Sequence, residues 1–143
     1  MSRSYTNIIV HLLLGTKHKI NYIQPQIEKQ LYEFITEQLI QQGCRVIILN
    51  GVADHVHCLF VLNPQKALCD VVKQIKGSSS YFVNHSNLMN THFRWQREYG
   101  AFSVSKSASK IVHNYIKNQK THHTKKSYED EFDFFTHLHH GTP

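Results

Sequence analysis

Two histidines and a tyrosine in this chain have the types and spacing for phosphoryl chemistry. His55 and His57 stand two residues apart in the run His-Val-His-Cys-Leu-Phe-Val-Leu, which reads as a β-strand. Side chains alternate faces along a strand, so both imidazoles project from one side and pre-form half of a metal site. A pair of solvent-facing histidines is the alternative, because a chain with twelve histidines can produce this spacing without purpose. A third ligand would be an oxygen-bearing residue brought in by another element, such as Gln119. Imidazole with oxygen and water ligands suits Mn²⁺ readily and Mg²⁺ less comfortably, and it leaves zinc open.

Tyr115 and Gln119 lie four residues apart in a predicted last helix, which puts both on one face about one turn apart. One helix can then present a phenol and a metal ligand together. Lys106, Lys110, Lys117 and Lys120 surround the same helix, where they would meet phosphate groups. A stripe of Ala108, Ile111, Val112, Tyr115 and Ile116 is also the pattern of a core tyrosine. If the helix docks on the histidine strand, the chemistry coheres. A phenol with an ordinary pKa of about 10 must lose its proton, or have its charge stabilised, to attack a phosphate, and a cation at the scissile group does the latter while holding it in line. The product is a phosphotyrosine ester, which a DNA 3′ hydroxyl can attack in reverse. No separate general base is evident in the sequence.

The elements that must position these residues are readable from periodicity. Residues 5–14 form an apolar, β-branched run stopped by Gly15-Thr16, the mark of a buried first strand, followed by a basic turn at Lys17-His18-Lys19. Pro25 opens a helix whose apolar positions are Ile27, Leu31, Phe34, Ile35 and Leu39, and Gly43 caps it. Residues 44–50 and 55–62 form a hairpin joined through residues 51–54. Leu68, Val71, Val72, Ile75 and Phe82 outline a second helix that Gly77 and the serines after it would fray. Residues 93–95 and 101–104 read as short strands about a turn at Tyr99-Gly100, and Ser105 or Ser107 caps the tyrosine helix. The order predicts an α+β, ferredoxin-like (RRM-like) βαββαβ fold, with an antiparallel sheet, helices on one face and an extra C-terminal helix carrying Tyr115. Residues 1–143 form a single domain in this reading, and residues from about 122 to 143 form a polar tail with aromatic residues Tyr128, Phe132, Phe134 and Phe135. The adjacent pair His122-His123 diverges on most backbones and is left unassigned.

Sixteen Lys and Arg against ten Asp and Glu leave a formal charge of +6, which points to a polyanionic partner. Cys44, Cys58 and Cys69 lack metal or redox spacing and read as reduced core thiols. There is no leader and no membrane-length apolar run, so a cytoplasmic location is the expectation.

Four stretches in order carry a resemblance: residues 11–19 with His11 and Lys17-His18-Lys19, Ala53-Asp54-His55-Val56-His57, Ile75-Lys76-Gly77-Ser78-Ser79-Ser80, and Tyr115-Ile116-Lys117-Asn118-Gln119-Lys120. Together they resemble the single-tyrosine HUH transposases of the insertion sequence 200/605 family, over nearly the whole chain. The resemblance implies a divalent metal, Mg²⁺ or Mn²⁺, on His55, His57 and Gln119, and attack by Tyr115 on single-stranded DNA to give a 5′ phosphotyrosine and a free 3′ hydroxyl. It also implies recognition of hairpins at element ends, and an obligate homodimer in which the tyrosine helix can complete the partner's site in trans. Residues 95–103 are more similar to a branch that includes chromosomal relatives linked to repeated palindromes, so mobility is not implied. Lys17, Lys19, Lys76, Arg94, Arg97 and Lys110 are the candidate DNA contacts, and solvated surface is the alternative for each. A non-catalytic single-stranded nucleic-acid-binding module of the same fold is the rival, distinguished by indifference to metal and to loss of the Tyr115 hydroxyl. A metal phosphoesterase using activated water would leave no covalent adduct.

Overall fold

A computed structural model of the chain describes residues 4–122 and 126–140. Strands β1 (Ile9–Thr16), β2 (Arg45–Val52), β3 (His55–Val61) and β4 (Trp95–Val104) form one antiparallel sheet in the order β2-β3-β1-β4. Helix α1 (Pro25–Gln41) follows β1 and α2 (Leu68–Asn84) follows β3, giving the expected βαββαβ order. All eight residues of β1 are buried, which is why its sequence is an apolar run without a clean polar alternation.

The period of two sorts the sheet's side chains between two layers. Val10, Leu12 and Leu14 of β1 and Val56, Cys58 and Phe60 of β3 form the main core with Ile27, Leu31, Ile35 and Leu39 of α1 and Val71, Val72 and Ile75 of α2. The intervening residues, among them Ile9, His11, His55, His57 and Leu59, therefore face the other way. There Ile9 and Leu59 pack on Ile116 of α3 (Ser109–Lys117), and α3, the short α4 (Gln119–His122) and α5 (Tyr128–His140) lie over this second face.

Several expectations are corrected. The two short strands about Tyr99-Gly100 are one continuous strand, because Gly100 and Tyr99 pair with Leu13 and Leu14 in the ladder. Gly100 serves space rather than a turn: a Cβ there would lie 2.9 Å from the Phe102 ring. Helix α2 runs unbroken to Asn84, since Ser78 and Ser80 donate back to the Gln74 and Gly77 carbonyls and Ser79 is buried, accepting from the Trp95 indole at 2.8 Å. Gly43, at φ +81°, follows α1 as predicted. Cys44 and Cys58 are buried thiols, but Cys69 is exposed. Ile111, assigned to the buried stripe, is 73% exposed.

The segment read as a polar tail holds helix α5. Ser127 Oγ accepts from the Asp130 amide at 3.1 Å and caps its start. Tyr128, Phe132 and Phe135 then form an aromatic stripe against Phe102 and the histidine face. Residues 123–125 and 141–143, including His123, lie outside the described residues. Among the described residues no helix is long and apolar enough to cross a membrane.

Candidate metal and tyrosine site

His55 and His57 enter the site from β3, opposite Gly15 and Leu13 of β1, and both are essentially fully buried. Each imidazole is held from behind through Nδ1. His55 Nδ1 lies 2.7 Å from Asp54 Oδ1, and His57 Nδ1 lies 2.7 Å from His11 Nε2. Both Nε2 atoms are left facing the same carboxylate, that of Glu131 in α5.

Glu131 Oε1 is 2.5 Å from His55 Nε2 and 3.2 Å from His57 Nε2. Its Oε2 accepts from the Tyr115 hydroxyl and, at 2.9 Å, from Gln119 Nε2. The ligand atoms of His55, His57 and Glu131 lie within 4.8 Å of one another, and all three residues are buried. Two imidazoles and a carboxylate so gathered could hold a divalent ion of the borderline-hard kind. Gln119 is 5% exposed and stands one hydrogen bond behind this group.

The electrostatics follow from burial and pairing. Burial works to lower the pKa of His55, but the hydrogen bonds and charges of Asp54 and Glu131 more than offset it and push it up to about 9. His57, fully buried, is lowered. Burial would raise Glu131, yet His55, His57 and Tyr115 hold its carboxyl well below the usual carboxylate range. Burial, then the adjacent Glu131 carboxylate, raises the Tyr115 phenol well above its ordinary value.

The chain itself brings Tyr115 to the histidines, its ring centroid 5.7 Å from that of His57. The continuous helix expected through Tyr115 and Gln119 is, however, broken. Asn50 Nδ2 of β2 donates to the Ile116 and Lys117 carbonyls at 3.0 and 3.2 Å, satisfying the end of α3, and the chain restarts at Gln119 as α4.

Of the candidate DNA contacts, Lys17, Lys76 and Arg94 line one notch of about 300 Å³, together with Gly77, Ser80 and Trp95. Lys76 Nζ also donates to the Arg97 carbonyl at 2.7 Å, which places Arg97 at its margin. Lys19 turns toward α5 instead, donating to Gln96, pairing with Glu129 at 3.2 Å and lying 4.3 Å over the Tyr128 ring. Lys110 is exposed on α3. Lys120, expected among phosphate contacts, instead ties α4 to the β2 turn and to Glu28 of α1. A larger groove of about 840 Å³ opens beside His55 and Asp54, with Lys120, Lys126 and Asp130 on its wall.

The sequence reading missed two residues, His11 and Glu131. Both carried a signal: His11 is a polar residue on the histidine-facing period of an apolar strand, and Glu131 falls at i+3 from Tyr128 within a stripe completed by Phe132 and Phe135. A charge inside the buried stripe of a helix asks for a partner.

Comparison with known proteins gives the family. Residues 4–119 match the family model described as "Transposase IS200 like". The ISDra2 transposase TnpA of Deinococcus radiodurans is 28% identical over 114 residues, spanning 76% of this chain and 81% of its own length. A crystal structure of a candidate transposase from Deinococcus radiodurans R1 superposes with a TM-score of 0.64 at 26% identity, covering 83% of this chain and 96% of that one. The fold is also that of a REP-associated tyrosine transposase solved bound to a REP hairpin, at TM-score 0.65 and 13% identity, over 86% of this chain and 73% of that one. With the family model matched over most of its length, the chain belongs to the IS200-like transposases, a family of DNA-binding, strand-transferring enzymes.

Proposed function

We propose that this protein cleaves and rejoins single-stranded DNA at hairpin-marked ends, with Tyr115 as nucleophile and a divalent ion, Mg²⁺ or Mn²⁺, at His55 and His57. The observation that carries the reading is the convergence of Tyr115, Gln119 and both histidines on one carboxylate within a single chain. Tyr115 Oη attacks the scissile phosphorus, the P–O3′ bond breaks, and the products are a 5′ phosphotyrosine and a free 3′ hydroxyl. Bound there, the metal polarises the phosphoryl oxygens and offsets their developing charge.

The remaining work belongs to side chains. The Tyr115 phenol lies well above its ordinary pKa, so its proton must leave as the new bond forms. Glu131 Oε2, already accepting from that hydroxyl, is placed to take it and to return it to the leaving 3′ oxygen. Gln119 and Glu131 are the two candidates for the third protein ligand, and their mutual hydrogen bond means a shift of either moves the other. Lys17, Lys76 and Arg94, gathered in one notch, suit the phosphates of a hairpin stem, with Arg97 at its margin, Lys19 beside α5 and Lys110 on α3 as further contacts. The homodimer implied by the family, with sites completed in cis or trans, belongs to the same proposal, as does a single functional unit over residues 1–143.

Labelled hairpin DNA incubated with the protein and Mn²⁺ or Mg²⁺, then run on a denaturing gel, tests the reading. A covalent adduct is expected, absent in Tyr115→Phe and His57→Ala while Tyr115→Phe still binds DNA. Binding without adduct in the wild type would favour a non-catalytic module, and cleavage without adduct a hydrolytic phosphoesterase.

A further inference from the structure

His11 has no part in the chemistry described so far, yet it is 1% exposed and its Nε2 lies 2.7 Å from His57 Nδ1. Around it stand rings that ask for no imidazole: Phe135 of α5 meets it edge-on at 4.5 Å and Phe102 of β4 lies 6.0 Å away. A phenylalanine would fill that place without the cost of burying a polar ring. What an imidazole adds there is a nitrogen aimed at the back of a candidate metal histidine.

We propose that His11 is a positioning residue for metal binding at His57, a role that rests on the proposed metal site. An imidazole that gives Nε2 to a cation must carry its hydrogen on Nδ1, and a fixed acceptor behind Nδ1 sets both that tautomer and the ring's orientation. His11 Nε2 is that acceptor. Asp54 fills the same position behind His55, so the two histidines have different kinds of support, a carboxylate for one and an imidazole for the other.

The difference matters because His11 can also donate. With no cation, His57 Nε2, 3.2 Å from the Glu131 carboxylate, can donate to it, and its Nδ1 then accepts from His11 Nε2–H. With a cation on His57 Nε2 the bond runs the other way. One hydrogen leaves His57 Nε2, one passes from His11 Nε2 to His57 Nδ1, and one is taken up at His11 Nδ1, so no net proton is gained or lost. A carboxylate in place of His11 could serve only the second arrangement, and an apolar ring neither.

Mn²⁺ titration of wild type, His11→Gln and His11→Phe, by calorimetry with melting curves of the metal-free proteins alongside, tests this. Glutamine retains a group that can both accept and donate near Nε2, whereas phenylalanine keeps the bulk alone. The expected result is a roughly ten- to hundredfold loss of Mn²⁺ affinity in His11→Phe with a melting temperature no lower than wild type, and recovery to within about threefold in His11→Gln. Wild-type affinity in His11→Phe, or equal losses in both variants, would overturn the proposal. Should His11→Phe not fold, ¹H–¹⁵N long-range NMR of the wild type with Mg²⁺ decides: His57 protonated at Nδ1 with His11 unprotonated at Nε2 is expected, and a hydrogen retained on His11 Nε2 contradicts it. A wild type that binds no Mn²⁺ would instead sink the proposed metal site itself.

Discussion

At the proposed site, a metal on His55 would compete with a proton that Asp54 and Glu131 hold there. Since the pKa of His55 is raised to about 9, Mn²⁺ affinity is expected to climb by up to about tenfold per pH unit from pH 7 and to level off near 9. A flat profile in calorimetric titrations at fixed ionic strength would contradict the pairing. The same pair has the opposite effect on the metal-free fold. A folded-state pKa above the unfolded value of about 6.5 contributes stability that is complete below 6.5 and lost as pH rises through about 9, here on the order of 3 kcal/mol. Melting temperature should therefore fall by several degrees across that window, and the fall should shrink in Glu131→Gln. The Glu131→Gln change also separates two roles: a loss of Mn²⁺ affinity of about tenfold or more makes Glu131 a ligand, whereas a gain makes it a competitor that the ion must displace. The histidine pair was legible because a strand's period of two needs no tertiary information. Glu131 was not, because its partner His55 lies 76 positions away and nothing local announces such a contact.

Elements set how closely these residues approach. Gly15 of β1 lets α5 lie against the sheet, since a Cβ there would sit 3.0 Å from the Tyr128 ring. Gly15→Val is expected to lift α5 and withdraw Glu131, seen as faster amide exchange over 128–140 while β1, β3 and α1 stay protected; unchanged exchange would show that α5 is not seated through this contact. Trp95 and Ser79 couple β4 to α2 on the other face. Ser79→Val should cost about 1 to 3 kcal/mol in denaturant unfolding by leaving the indole N–H unpaired, and a neutral result would mean that water or another group satisfies it. Helix and strand order was readable from β1 to α3, from alternation and from the i, i+3, i+4 stripes, whereas α5 was read as a polar tail. The misread boundaries lie at residues that break structure locally. Gly77, Gly100 and the serines of α2 look like breakers locally, but β1 pairs with Gly100, the Trp95 indole donates to Ser79, and Ser78 and Ser80 donate back to carbonyls of α2 itself.

The whole molecule divides its work between two faces of one sheet: α1 and α2 bury a conventional core, and α3, α4 and α5 close over the histidines. The basic notch of Lys17, Lys76 and Arg94 shares no lining residue with the Tyr115 cluster, so binding and cleavage should be separable. Alanine at Lys76 is expected to reduce the salt-dependence slope of hairpin binding by about one, leaving adduct formation intact at saturating DNA; an unchanged slope would place the stem elsewhere. Cleavage by the proposed route joins Tyr115 covalently to DNA. Peptide mass mapping of the protein after incubation with single-stranded hairpin DNA and Mn²⁺ tests it most directly. A 5′ phosphonucleotide on the peptide carrying Tyr115 is expected, with an equal yield of free 3′ hydroxyl ends; a modified residue elsewhere, or cleaved DNA with no modified peptide, would contradict the proposed role of Tyr115.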